Sequence, residues 1–494
     1  MARIAVIGSG MGALAAAARL AVAGHRVTVY ERSGTYGGAV GRLARDGFAF
    51  DTGPGLLHLP AVWRDLFVKT GKEPLESSVE LVQVDPASRH HFADGTVVAL
   101  PNASRAGIVA ALDEALGAGA GERWGAFLGR ARDAWDRSRR PLLEEPLPAD
   151  TTPFGRDPYP ALKGGLLRRP ARTLAEVGRR ELRDPRLAAL LEAHALAYGF
   201  DPARTPASAA VLPYLEQTFG SWYVRGGLRA LADAVYERCL ARRVEFVFDA
   251  EVTGVRVEDG RAAGLELADG RRVDADHVVA GAPVPALGRT GVLPFREPPR
   301  VQAVTTGRVM VCLALRGARE ADAAHRAVVH SADRDEELAA LSGGRLAGHP
   351  TVTVLRPDDP ALRPDDAHEA VTVTATVPAD GALWDGVDPG AEGFADRMVA
   401  VAARAVPGLA ERVLWREVRT PADTFRETGA HQVPGPALAG DGGALLPAAN
   451  ASALPGLYLA GGWSHPGGGL AHSGMSGALV AGLIVEGADF RGSR

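Results

Sequence analysis

The chain has 494 residues, 46% of them hydrophobic, and a net charge of −4 at neutral pH. That length and apolar content argue against disorder and provide for a large core, in two domains or in one with insertions. An isoelectric point near 6.4 without a dominant basic block sets nucleic-acid binding aside. Cys239 and Cys312 stand far apart and in no ligand-like spacing, which gives neither a disulfide framework nor a zinc site and fits a reducing cytosol.

Residues 3–7 (Arg-Ile-Ala-Val-Ile) form a short apolar run of the kind that makes a buried strand. Gly8-Ser9-Gly10-Met11-Gly12-Ala13 follows at once, then Leu14, Ala17, Ala18 and Ala21 at helical spacing, a stop at Gly24, and a second strand over Arg26–Tyr30 ending at Glu31. Each part of this strand, glycine turn, helix, strand and acid has work to do in holding a dinucleotide. Gly8 allows the tight turn, Gly10 lets a pyrophosphate approach the backbone, and a small residue at Ala13 lets the helix pack on the sheet. The helix N-terminus offers unpaired N–H groups to the phosphates, and Glu31 can accept hydrogen bonds from a ribose diol. The apolar opening also has the outline of a secretory signal, but a signal has no need of three closely spaced glycines. No run reaches the ~18 uncharged apolar residues of a membrane span, so membrane contact is expected to be peripheral.

Gly37-Gly38-Ala39-Val40-Gly41-Arg42 comes next, with Phe50-Asp51-Thr52-Gly53-Pro54 beyond. Arg42 supplies a forked, permanently charged phosphate donor. Segment 61–215 reads as mostly helical, at 105–116, 122–139 and 186–198. Within it, 162–186 carries Lys163, Arg168, Arg169, Arg172, Arg179, Arg180, Arg183 and Arg186 among leucines, which suits either an anionic bilayer surface or a solvated helical face. After Phe219–Leu231 the pattern gives a helix at 232–240, a strand at 244–248, hairpins through Asp259-Gly260 and Asp269-Gly270, and a strand at 275–280. Segment 291–429 offers strands at 309–315 and 370–377 and a helix at 394–405. The closing stretch runs from Leu457–Ala460 into Gly461-Gly462-Trp463-Ser464-His465-Pro466-Gly467-Gly468-Gly469-Leu470-Ala471-His472.

Three stretches carry a resemblance. The glycine pair with its arginine after Glu31 resembles the continuation in FAD-binding oxidoreductases of the glutathione-reductase group. Phe219-Gly220-Ser221-Trp222-Tyr223-Val224-Arg225-Gly226-Gly227-Leu228-Arg229-Ala230-Leu231 and Leu454–Gly469 are similar to segments of bacterial phytoene desaturases and their carotenoid-desaturase relatives. The matches fall at the start, middle and end of the chain in the right order. The resemblance implies an α/β fold, with a Rossmann-like FAD-binding domain of glutathione-reductase type built from 1–60, 216–290 and 430–494. An inserted mixed α+β substrate domain would come from 61–215 and 291–429. Expected FAD contacts are Gly8, Gly10, Gly12, Ala13, Glu31, Arg32, Gly37, Gly38, Arg42, Val252, Gly462, Gly469 and Leu470. There are departures: Ala39 replaces a basic residue, Gly281 a frequent Asn, and Leu470-Ala471-His472-Ser473 an apolar stretch.

A flavin desaturase asks its side chains to orient the substrate, exclude water and, where needed, supply a base, because accepting hydride is the cofactor's chemistry. His472 is the candidate base, by its place beside the expected flavin and its titration near neutrality; Tyr223, with Trp222, is expected to line the ring pocket. His465 and His472 face each other across a turn and not along a helix, with no third ligand nearby, so no metal is expected. The first reading is thus an FAD-dependent desaturase or dehydrogenase of an apolar polyene or terpenoid, cytoplasmic, with peripheral membrane contact through 162–186. Its electron acceptor is expected to be oxygen or a quinone, since there is only one dinucleotide motif. The alternatives are a flavin oxidase, saturase or isomerase of a more polar metabolite, which His472 favours, and a non-enzymatic prenyl-binding protein similar to the Rab GDP-dissociation inhibitors.

Overall fold

The computed structural model describes residues 1–162, 170–293, 306–380, 383–384 and 389–492. Its centre is a five-stranded, wholly parallel sheet in the order Glu245–Val247, Arg26–Tyr30, Arg3–Ile7, His277–Ala280, Leu457–Leu459. Apolar residues crowd these strands because a parallel sheet is covered on both faces: Ile4, Val6, Val27, Val29 and Val279 pack in one core, Ala5, Ile7, Val278 and Leu459 in another. The sheet therefore joins the two ends of the chain, separated by some 450 residues of sequence, as neighbours of one strand, His277–Ala280.

The first helix, Met11–Val22, is nearly all alanine on its buried faces, and the reason lies in its partner. The last helix, Leu470–Glu486, crosses it almost backbone to backbone: a Cβ on Gly477 would lie 2.5 Å from the Gly12 carbonyl oxygen. Larger residues at this crossing would force the helices apart.

A second sheet has seven strands in the order 413–419, 306–316, 368–378, 352–355, 326–329, 88–91, 97–100. Its long central pair, Thr306–Arg316 and His368–Pro378, is antiparallel over eleven residues. One face carries Val309, Val311, Leu313 and Leu315 under the helix Pro389–Ala402, and the other carries Met310, Cys312 and Ala314 against Phe48 and Phe50. The reading of 61–215 as mostly helical is corrected here. Its strands at 88–91 and 97–100 extend this sheet, and 81–83 joins 221–224 and 57–58 in a three-stranded one. The helices Arg105–Leu116, Ala120–Arg139, Pro185–Ala197 and Val211–Phe219 enclose Trp124 and Phe127 in a further core.

Two boundaries differ for clear reasons. The helix expected from 232 starts at Leu228, since the Asp51 carboxylate accepts from the N–H groups of Leu228 (2.7 Å) and Arg229 (3.2 Å) and closes its N-terminus. The basic stretch 162–186 is not a pair of long helices. Lys163, Arg168 and Arg169 lie outside the described residues, and 174–182 is a short α turn running into a π turn before an Asp184-capped helix. Arg186 is held by Asp184 and Asp94, and Arg180 lies by Glu176. Among the described residues no helix is long and apolar enough to cross a membrane.

Candidate functional site

The N-terminal motif folds into an open cradle. Gly8 turns with a φ of +82° while its N–H donates to the Tyr30 carbonyl, and Gly37 donates to Ser9, which draws the second glycine pair over the first. A Cβ on Gly38 would lie 3.0 Å from Gly10 Cα. Gly10 has an ordinary φ of −67°, and a Cβ there would meet nothing nearer than the Gly281 oxygen at 3.7 Å. Nothing in the chain itself needs glycine at this point, so the space it leaves suits a group that is not protein. The helix it opens has no side-chain cap and no acid in its first turn, leaving N–H groups for an anion. These features fit the diphosphate of FAD.

Glu31 sits beside the cradle with both oxygens engaged: Oε2 accepts from the Ser9 N–H and hydroxyl, Oε1 from those of Ser33. The Glu31 main chain pairs with Val247 and Ala250, which brings Val252, two residues on, to the same edge. Arg42 opens an exposed strand opposite Asp51 and has no carboxylate partner among the described residues, so its guanidinium is free for an anion. The loop 33–37 is held by a residue the sequence did not single out: Arg229 donates to the Tyr36 carbonyl at 2.7 Å and lies over the Tyr36 ring.

Two expected contacts are corrected. Arg32 points away, donating at 3.0 Å to the carbonyls of Arg426 and Glu427 at the end of the helix Pro421–Thr428. Gly12 is required by packing, since a Cβ on it would stand 2.5 Å from Gly461 Cα. Ala13 is likewise wholly buried against the sheet.

The C-terminal glycine turn is held by a buried network. Asn450 Nδ2 donates to the carbonyls of Leu459 (3.1 Å) and His465 (2.6 Å) and to Ser476 Oγ (3.1 Å), which accepts in turn from the Gly461 N–H. Segment 434–437 crosses the turn so closely that a Cβ on Gly468 would fall 1.7 Å from the Pro434 oxygen. Gly469 then opens the last helix, uncapped and exposed, with Gly462 and Leu470 half-buried beside it.

His472, on the first turn of that helix, lines a cavity of about 390 Å3 whose other walls include Trp135, Leu142, Leu143, Leu212, Leu215 and Leu438. That volume lies within the range of small-molecule sites, about 300–1,000 Å3. His472 makes no hydrogen bond with the described residues. Burial, and secondarily the His465 imidazole, pushes its pKa down to about 4, so at neutral pH the ring is uncharged and has a lone pair to offer. His465 differs: it is fully buried, and its Nε2 donates to the Glu145 carbonyl at 2.9 Å.

Tyr223 is corrected in turn. On the strand Ser221–Val224 it points into the core of Phe48, Phe50 and Met310, and its hydroxyl donates to Asp359 Oδ2 at 2.7 Å. Burial drives its phenol pKa far up. Alternation along a short strand sends Tyr223 to the seven-stranded sheet and Trp222 to the opposite side, away from His472.

Tyr198, which the sequence did not flag, takes the place beside the turn. Its Cε1 is 3.7 Å from where a Cβ on Gly469 would be, a point 3.4 Å from His472 Nδ1. Its hydroxyl has no partner among the described residues, and burial, with Glu216 adding, keeps it protonated. Behind it Glu216 forms a forked pair with Arg326, flanked by His194 Nε2 at 3.7 Å and His58 Nε2 at 3.9 Å. Among the described residues no three His, Cys, Asp or Glu side chains are grouped to hold a metal ion.

Comparison with known proteins adds to this geometry. The family described as flavin containing amine oxidoreductase matches residues 14–485. The chain is 29% identical to a 4,4'-diapolycopene oxygenase of Methylomonas sp, over 98% of each chain. It is 30% identical to a phytoene dehydrogenase of Streptomyces griseus, over 74% of this chain and 71% of that protein. Among solved structures, an oxidoreductase from Methanosarcina mazei superposes with a TM-score of 0.66 at 17% identity, covering 97% of this chain and 99% of that one, which speaks for the fold.

Proposed function

Since the chain belongs to the flavin containing amine oxidoreductases, we propose that it is an FAD-dependent desaturase or dehydrogenase that removes hydride from a C–H bond of a largely apolar polyene or terpenoid. Its relatives named for diapolycopene and phytoene support that substrate class. The observation that carries the reading is the apolar cavity ending at His472, beside the uncapped helix start at Gly469.

FAD, when bound, supplies a hydride acceptor at its N5. Gly8, Gly10, Gly37, Gly38 and Arg42 would hold its diphosphate, Glu31 and the Val252 backbone its adenosine end, and Gly462, Gly469 and Leu470 its ring end. The leucine walls orient the chain of the substrate and exclude water. His472, uncharged at neutral pH, takes at an imidazole nitrogen the proton that the substrate loses with its hydride. Segments 1–60, 216–290 and 430–494 serve as the cofactor unit in this reading, 61–215 and 291–429 as the substrate unit.

Anaerobic mixing with acyclic polyenes tests it: the flavin absorbance is expected to bleach. If only an amine or hydroxylated metabolite bleaches it, the oxidase reading replaces this one; if purified protein neither contains nor takes up FAD, the prenyl-binding reading does. His472→Ala is expected to keep its FAD and to reduce flavin about 10²-fold more slowly, within the range of general-base contributions. An unchanged rate removes the base.

A further inference from the structure

Arginines with little exposure in this protein are matched by acids. Arg326 sits on Glu216, Arg356 on Glu369 and Glu320, and Arg130 on Glu181. Such pairing is expected, because a cation withdrawn from water is costly unless an opposite charge or a full set of hydrogen bonds replaces its hydration.

Arg308 departs from this. It is the third residue of the strand Thr306–Arg316, on the face that carries Met310 and Cys312 and not the one covered by the helix Pro389–Ala402. It is only partly exposed, and one of its five N–H groups is used, by Nη2 donating to the Ala197 carbonyl at 2.6 Å. No carboxylate lies within ion-pairing distance among the described residues. Burial lowers its pKa with no acid acting against it. The Ala197 carbonyl ends the helix Pro185–Ala197, and the negative end of a helix dipole amounts to about half a charge, so the guanidinium is left with charge and donors to spare.

Its surroundings say where they are directed. The next residue after Ala197 is Tyr198, whose ring lies against the Gly469 turn and its His472. Ala197 and Gly469 are both exposed, although the helices they belong to are otherwise interior. Arg308 thus borders the open space in front of the turn, with leucine-lined walls at one side and a bare cation at another. An apolar cleft with one unmatched guanidinium suits a long apolar molecule that ends in an anion.

We propose that Arg308 is an anion subsite that takes the terminal carboxylate of an isoprenoid or polyene acid, so that the substrate is an acid-ended polyene and not a bare hydrocarbon. This rests on the desaturase reading above and narrows it. A carboxylate and a guanidinium pair through two parallel N–H···O bonds, and Arg308 retains the donors for that.

The test uses FAD-loaded protein and two probes with one polyene skeleton, retinoic acid and retinol, with dissociation constants read from quenching of tryptophan fluorescence. The acid is expected to bind at least about tenfold more tightly than the alcohol, and to weaken as salt is raised, as an ion pair in a partly open cleft should. Arg308→Met is expected to abolish the preference for the acid while leaving retinol binding within about twofold; Arg308→Lys, which keeps the charge without the fork, should retain part of it. Equal affinities for acid and alcohol in the parent protein overturn the proposal. So does an unchanged acid affinity in Arg308→Met with FAD content and melting temperature intact, or displacement of the acid by acetate at comparable concentration, which would make this a site for small free anions. The two readings fail separately. Flavin bleaching by hydrocarbon polyenes without any Arg308-dependent acid binding leaves the desaturase and removes the subsite. Acid binding through Arg308 with no polyene able to bleach the flavin removes the desaturase and the substrate assignment with it.

Discussion

The two glycine-rich stretches of this chain resemble each other in composition and differ in what their glycines are for. At the N-terminal cradle, Gly10 faces open space and has an unstrained backbone, so what demands its small size is absent from the protein. At the C-terminal turn, Gly468 lies under the Pro434 carbonyl, and the Asn450 and Ser476 side chains hold the loop from within. The first stretch is shaped to receive and the second is packed to stay in place, presenting Gly469 and His472 from a rigid base. A glycine is evidence for a ligand only where the protein itself leaves the space beside it unfilled.

The contrast is broken most forcefully within the first motif, where Gly10 and Gly12 stand two residues apart. Gly12→Val forces a side chain into the Gly461 backbone, with the Ser473 oxygen also 2.8 Å from its Cβ. Overpacking of a well-packed core costs about 1–3 kcal/mol and more where backbone must move, so thermal melting of the apoprotein is expected to fall by that much or the chain to fail to fold. Gly10→Val meets no such neighbour. Its apoprotein should melt within about 0.5 kcal/mol of the parent, while FAD affinity drops at least about tenfold because the branched side chain occupies the space in front of the helix N-terminus. If Gly10→Val unfolds the protein, or retains FAD in full, the distinction drawn between receiving and packing glycines is wrong.

The second stretch can be probed through His465. Its Nε2 donates to the Glu145 carbonyl, so its Nδ1 is the unprotonated nitrogen, buried and without a partner. A proton added there has nothing to bond, and burial holds the pKa down to about 4 against an ordinary 6.5. With the folded value depressed, the unfolded chain binds the extra proton first. Stability present above pH 6.5 is therefore lost as pH falls toward 4. Urea unfolding at pH 7 and pH 5 is expected to show about 1–2 kcal/mol more loss in the parent than in His465→Gln, a fraction of the limit of about 1.4 kcal/mol per pH unit for one proton. Parallel curves would mean that this imidazole does not carry the acid sensitivity.

The sequence made the cradle readable because every part of it is local: strand, turn, helix, strand and acid lie within residues 3–31, and their spacing alone sets Gly8, Gly10 and Glu31 together. The parallel sheet was readable for the same reason, through short apolar strands. What could not be read depends on side chains meeting from distant segments. Tyr198 reaches the Gly469 turn from a helix that gives no hint of it, and the Asn450 network joins residues 450, 459, 465 and 476. Tyr223 was misplaced because a four-residue strand does not announce which of its faces meets the flavin unit and which the seven-stranded sheet. The strands at 88–91 and 97–100 were missed because their partner, 326–329, is more than 200 residues away.

Arg32 shows how an expectation from neighbourhood gives way to geometry, and it sets the smallest of the expected effects. It follows Glu31 and carries the charge a diphosphate attracts, yet its guanidinium donates to two carbonyls at the end of the helix Pro421–Thr428, where the helix dipole is negative and backbone acceptors are unsatisfied. The side chain is exposed, so solvent competes for both bonds. Arg32→Ala is expected to cost about 0.3–1 kcal/mol, the usual worth of a cation at an exposed helix C-terminus, and to leave FAD content unchanged. Arg42→Ala, by contrast, touches no carboxylate of the protein and is expected to weaken FAD without changing the melting temperature of the apoprotein. Loss of FAD in Arg32→Ala at unchanged stability would return that residue to the cofactor and make the helix-end contact incidental.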